Sequence, residues 1–145
     1  MEYFTKYASF KLIEAEDKDC EAILELIYGI AKYEKMTDQV TATVESLHDS
    51  LFVKKRAKVV LAYENSKLIG YMLYFFNYST FTGGANIYLE DLFIYEEYRH
   101  KGYGKALFLD LVKEAKENSL GRMEWTCLNW NEPSIKFYKS FSAFE

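Results

Sequence analysis

Residues 86–104 read NIYLEDLFIYEEYRHKGYG, and this stretch decides the fold. Residues 86–95 are mostly apolar and aromatic, interrupted by Glu90 and Asp91, and read as a strand. A polar loop follows and closes on Gly102 and Gly104. From about Gly104 to Asn118 the period changes to that of a helix, with Leu107, Phe108, Leu111, Val112 and Ala115 on one face. Gly121 suits a helix stop, and residues 122–128 (RMEWTCL) read as a further strand. A strand, a helix and a strand in this order form a βαβ unit, which makes strands 86–95 and 122–128 parallel.

Working outward, residues 8–14 (ASFKLIE) read as a short first strand. A helix runs from a cap at Asp17 to about Lys35, with Cys20, Ile23, Leu24, Ile27, Ile30 and Ala31 on one face. A second helix starts near Thr43 and carries Val44, Leu47 and Leu51. Residues 58–63 (KVVLAY) and 67–78 (KLIGYMLYFFNY) form a β-hairpin around the polar turn Glu64-Asn65-Ser66. Pro133 opens a last short helix through about Ser140, since proline suits the first helical turn. The fold class is therefore α/β, a central mixed sheet flanked by helices, in the order β-α-α-β-β-β-α-β-α.

The chain has 145 residues, half of them apolar, enough for one domain over 1–145 with its own core. Its net charge is −4, and its densest basic run, Lys54-Lys55-Arg56 with Lys58, is too short for the basic stripe of a nucleic-acid binder. An acidic protein favours a cationic small-molecule partner. Cys20 and Cys127 match no metal spacing, and both read as buried free thiols, which fits a reducing, cytoplasmic setting. The N-terminal MEYFTKYASF lacks an apolar signal core, and no apolar stretch approaches the roughly 20 residues of a membrane span. No metal-ligand constellation is present.

The chemistry concentrates in Arg99-His100-Lys101-Gly102-Tyr103-Gly104-Lys105, between strand and helix. Glycines let backbone N–H groups approach a ligand, and a helix start adds free N–H groups and the positive end of its dipole. Arg99 and Lys101 add charge, so a pyrophosphate suits this loop. Neither G-x-G-x-x-G nor the Walker pattern is present; the pattern is R-x-x-G-x-G. A tight turn followed by a helix start is the plainer reading of the same residues.

R-x-x-G-x-G at such a junction resembles the acyl-CoA pyrophosphate signature of the GCN5-related N-acetyltransferase (GNAT) superfamily. Residues 31–40 (AKYEKMTDQV), 70–82 (GYMLYFFNYSTFT), 87–104 and 130–139 (WNEPSIKFYK) resemble its diamine (spermidine/spermine) and thialysine N-acetyltransferase-like branch. The resemblance spans about residues 10–143. It implies direct acetyl transfer from acetyl-CoA to a primary amine of a small polyamine or lysine-like substrate, with no metal, and a homodimer. It assigns the pyrophosphate loop to Arg99, His100, Lys101, Gly102, Tyr103, Gly104 and Lys105, and the strand that pairs with pantetheine to Leu92, Phe93 and Ile94. It assigns further cofactor contacts to Asn131, Ser134, Tyr138 and Lys139. Tyr138 is implied as the acid that protonates the leaving thiolate and Glu90 as the carboxylate that helps deprotonate the amine. Glu90, Asp91, Glu34 and Phe81 are implied on the substrate side.

These residue types suit the chemistry. An alkylammonium has a pKa of about 10 and attacks only after losing a proton, which a carboxylate can pass outward. A thiolate leaving group is protonated by a phenol. Glu90 and Asp91 are strand neighbours and point to opposite faces unless the strand bulges, as the family's strand does. Otherwise one of them is structural. His100 reads as solvent-facing loop. Phe75, Phe76, Tyr78 and Phe81 line an acceptor channel or pack in the core; Trp125 and Trp130 read as packing residues. Ser142 stands where the family has a glycine. Relatives also continue past residue 145, so the domain is expected to lack a C-terminal strand. The competing reading is a module that binds acyl-CoA or a polyamine without turnover; acetylation of proteins is a third, weaker one.

Overall fold

The computed structural model describes residues 2–4, 9–128 and 131–140. Its sheet has six strands in sequence order: β1 (Glu2–Phe4), β2 (Ser9–Glu14), β3 (Lys58–Glu64), β4 (Lys67–Ser79), β5 (Gly84–Ile94) and β6 (Met123–Trp125). The pairs from β1 to β5 are antiparallel and β5–β6 is parallel, as the βαβ reading requires. The helices are α1 (Cys20–Tyr33), α2 (Val44–Leu47), α3 (Tyr103–Glu117) and α4 (Glu132–Lys139). Among the described residues no helix is long and apolar enough to cross a membrane.

Strand β3 shows why the sheet reads as continuous apolar sequence. Val59 and Leu61 pack toward α1 and α2 with Ile23, Leu26, Leu47, Tyr71 and Phe93. Val60 and Ala62 pack on the opposite face with Leu12, Met72, Leu89, Leu107 and Leu111. A strand covered on both faces has no polar side to alternate with. Fully burying one Leu or Ile contributes about 1.5–3 kcal/mol, and Ile23, Ile69, Ile87, Leu107 and Leu111 are all at 0% exposure.

Several boundaries differ from the sequence reading. Strand β1 was not anticipated; three paired residues are too few to set a period. A 3-10 turn over Asp17–Asp19 precedes α1, with the Glu16 backbone N–H donating to Asp19 Oδ2 at 2.8 Å. The second helix is one α turn, capped by Thr43, that widens into a π segment over His48–Val53. The glycine loop contracts, because Gly84 and Ala85 pair with Ser79 and Tyr78. Strand 122–128 keeps only Met123–Trp125 in the sheet. Trp130 and Ser142 lie outside the described residues.

Two irregularities prepare the site. Leu73 pairs with Asp91 but Tyr74 with Leu89, so Glu90 is an extra residue on β5, a β-bulge. The β5–β6 ladder runs from Ile87–Met123 to Leu89–Trp125 and stops there, while β5 continues to Ile94. The parallel strands thus part at the bulge.

Gly70 of β4 leaves no room for a side chain beside β5: a Cβ there would lie 2.3 Å from the Phe93 carbonyl oxygen and 2.6 Å from Ile94 Cδ1. Overpacking of this kind costs about 1–3 kcal/mol. Gly70→Ala is therefore expected to lower the urea unfolding midpoint, and an unchanged midpoint would refute the tight contact.

Candidate active site

A cavity of about 710 Å³ opens where β5 and β6 separate. Leu92, Phe93 and Ile94 form one wall; Thr126, Cys127 and Leu128, which leave the sheet after β6, form the other. Tyr33 and Glu34 from the end of α1, the loop residues Arg99, His100, Gly102, Gly104 and Lys105, and Asn131, Ser134, Phe137 and Tyr138 of α4 complete it.

Gly102 precedes α3 with φ +84°, in the left-handed region that favours glycine, and His100 turns the loop with φ +65°. No side chain caps α3, and its first turn holds no acidic residue. The helix therefore presents its positive end to the cavity. Nothing lies within 4 Å of the position a Gly102 Cβ would take, so the backbone there is open to a ligand. This cradle and the long slot beside β5 fit a pyrophosphate and its extended arm.

The basic side chains of the loop are tied back. Arg99 donates from Nε to the Ile94 carbonyl at 2.8 Å and lies over the Tyr33 ring at 4.6 Å. Lys101 does not line the cavity; it reaches Glu64 at 3.1 Å. Tyr103 also donates to Glu64, at 2.5 Å, and stacks on Phe10 at 4.1 Å. These contacts, led by the Tyr103 hydrogen bond, hold the Glu64 carboxyl below its ordinary pKa. In the sequence Glu64 reads as a turn residue, and nothing local distinguishes it there.

Tyr138 is packed face to face with Trp125 at 4.9 Å and edgewise against Phe108 at 5.9 Å. Burial pushes its phenol well above the usual value, with Cys127, Asp91 and Glu34 adding to the effect. It stays protonated through any physiological pH. Asn131, only 6% exposed, caps α4 by accepting the Ser134 backbone N–H at 3.3 Å. The same oxygen accepts from the Tyr33 hydroxyl at 2.7 Å, a link across the cavity that the sequence did not suggest.

The bulge separates the acids. Glu90 is exposed and lines the cavity. Asp91 lies outside the lining and accepts the hydroxyl of fully buried Tyr71 at 2.7 Å. Burial raises the Asp91 carboxyl against the lowering effect of that bond, and Glu90 raises it further. Glu34 is also pushed up, by burial first and then by Asp91 and Glu90. Glu34 and Glu90 thus share one end of the cavity, with the Asp91 carboxyl close enough behind them to raise Glu34.

Other expected residues lie elsewhere. Phe81 is wholly exposed in the β4–β5 turn, and Lys139 does not line the cavity. Nor do Phe75, Phe76 and Tyr78; Phe75 stacks on Tyr88 at 5.2 Å. Cys20 is buried, but Cys127 is half-buried and faces the cavity, a placement its apolar neighbours did not reveal.

The profile of the acetyltransferase (GNAT) family matches residues 18–143. The chain belongs to this family and is an N-acetyltransferase, moving an acetyl group to an amine. It is 34% identical to the thialysine N-epsilon-acetyltransferase of Sus scrofa over 145 residues, covering 94% of this chain and 85% of that protein. It is 40% identical to the L-ornithine N5-acetyltransferase of Arabidopsis thaliana over 74 residues, 51% of this chain and 32% of that protein. A crystal structure of an aminoglycoside acetyltransferase from an uncultured soil sample superposes with a TM-score of 0.82 at 18% identity, covering 94% of this chain and 90% of that one. At that identity the likeness concerns the fold alone.

The Glu64 contacts carry a pH dependence. Its folded pKa is depressed, so its contribution to stability is present above the unfolded value of about 4.3 and is lost as pH falls through the folded value. Glu64→Gln is expected to flatten the acid limb of the stability–pH curve below about pH 5. Parallel wild-type and variant curves in that window would contradict this.

Proposed function

We propose that the chain transfers the acetyl group of acetyl-CoA directly to a primary amine of a small diamine or lysine-like acceptor. One observation carries the reading: Tyr138, held protonated by burial, and exposed Glu90 line the same cavity as the glycine loop before α3. The similarity to thialysine and ornithine acetyltransferases supports the acceptor class.

On this reading the loop amides and the start of α3 take the pyrophosphate, and the strand edge freed after Leu89 takes the pantetheine arm. Backbone N–H groups along Leu92–Ile94 polarise the acetyl carbonyl. The acceptor arrives as an ammonium, drawn to Glu34, Glu90 and Asp91. Glu90 removes its proton, directly or through water, and the neutral amine attacks the thioester carbon. The C–N bond forms, the C–S bond breaks, and the thiolate takes the Tyr138 proton. Asp91, oriented by Tyr71, supplies field rather than contact with the reacting atoms. The same reading has the chain work as a cytoplasmic homodimer, and a one-chain particle in light scattering would count against the dimer.

The decisive experiment is CoA thiol release from acetyl-CoA over a panel of polyamines, ornithine, lysine and thialysine. Release is expected with at least one lysine-like or diamine acceptor, and Glu90→Gln and Tyr138→Phe are each expected to slow it at least tenfold. Wild-type rates in both variants would remove the assigned roles. Acetyl-CoA binding without turnover of any amine would favour the binding module.

The pH profile offers a second check. The amine must be neutral, so kcat/KM should rise with pH toward the acceptor's pKa of about 10. The raised Tyr138 pKa keeps its proton in place over that range, so no falling limb is expected below about pH 10. A fall near pH 8 would rule out a phenol in this environment as the acid.

A further inference from the structure

A second cavity, of about 220 Å³, lies between β2, β3, β4 and α3 and shares no lining residue with the first. Its floor is Leu12 and Val60, and Glu14, Asp110 and Glu114 supply three carboxylates around it. Asp110 and Glu114 stand four residues apart on α3, a like-charge spacing that destabilises a helix. Among the described residues none of these three carboxylates forms an ion pair. Lys58 also borders the cavity, but its ammonium lies over the Phe76 ring at 6.0 Å.

A separate observation points to a ligand. Tyr74 is 6% exposed, lines this cavity, and its hydroxyl has no hydrogen-bond partner among the described residues. The ring is buried while the hydroxyl oxygen stays open to the cavity, where a bound group can reach it. The hydroxyl sits in the field of Glu114, Glu14 and Asp110, which adds to burial in raising its pKa, so it remains a neutral phenol.

We propose that this cavity is a second site, separate from acetyl transfer, that binds a small primary alkylammonium. Three N–H donors on one cationic nitrogen suffice for the phenol oxygen and two of the carboxylates, and the third carboxylate adds to the field. The short aliphatic arm lies on Leu12 and Val60. A divalent metal fits less well, because no group of three carboxylate, histidine or cysteine side chains converges closely enough among the described residues. The site takes the same chemical class as the acceptor proposed above, on whose amine chemistry the choice of probe rests.

The test is a titration of the whole chain with n-butylammonium chloride at constant ionic strength, followed by amide NMR. Saturable shifts are expected at Tyr74 and along Asp110–Glu114, distinct from any shifts at Glu34 and Glu90. Asp110→Asn combined with Glu114→Gln should weaken the second set at least tenfold and leave CoA thiol release unchanged. The double variant should melt no lower than wild type, since the like-charge pair is gone. Tyr74→Phe, which keeps the ring in the core, should weaken the same set severalfold and carries the test if the double variant does not fold. Tetramethylammonium, which has no N–H donor, should leave the second set unshifted. Absence of a saturable second set would overturn the proposal. So would its persistence in the variants, or an equal response to tetramethylammonium.

Discussion

Strand β5 must stay paired with β4 along its whole length while giving up β6 halfway. The extra residue Glu90 makes both possible. A bulge sharpens the local twist and bends the strand that carries it, so the far half of β5 turns away from β6. The slot, the open edge that Leu92–Ile94 present where β6 would pair, and the separation of Glu90 from Asp91 all follow from that one residue. Asp91 turns to Tyr71 beneath the sheet, and Glu90 turns to the cavity.

What keeps the slot in shape is a ring of long-range polar contacts around its mouth. Glu64 anchors the glycine loop through Tyr103 and Lys101, Arg99 ties the loop to the end of β5, and Tyr33 joins α1 to the cap of α4. Such hydrogen bonds contribute about 0.5–1.5 kcal/mol between neutral groups, as for Tyr33 and Asn131, and about 1.5–3 kcal/mol where Glu64 or Arg99 takes part. They matter most for α4, which has no fully buried residue and leans on Trp125 and Phe108 through Phe137 and Tyr138. The residue that carries the phenol thus sits on an element held chiefly by its cap and an aromatic cluster.

The parts legible in the sequence are those written in local periodicity. The change from strand to helix to strand across residues 86–125 was readable because each element repeats its own apolar spacing, and the two glycines between them have a conformational reason. The ring of contacts was not readable. Glu64 looks like a turn residue, Tyr33 like the end of a helix and Tyr71 like any core aromatic, because each acquires its partner from a segment far away in sequence. The end of β6 at Trp125 is hidden for a related reason: Thr126-Cys127-Leu128 has the composition of a strand, and only the bulge opposite removes its pairing partner.

The start of α3 imposes a trade-off on the whole domain. Its cap position holds a left-handed backbone angle rather than the extended one from which serine, threonine or aspartate caps a helix, so no side chain there finishes the helix from within. Stability withheld there is the cost of keeping an anion-binding end open, and replacements that strengthen the fold have to be sought elsewhere. The first turn of α3 is thereby left without a side-chain partner for its free N–H groups.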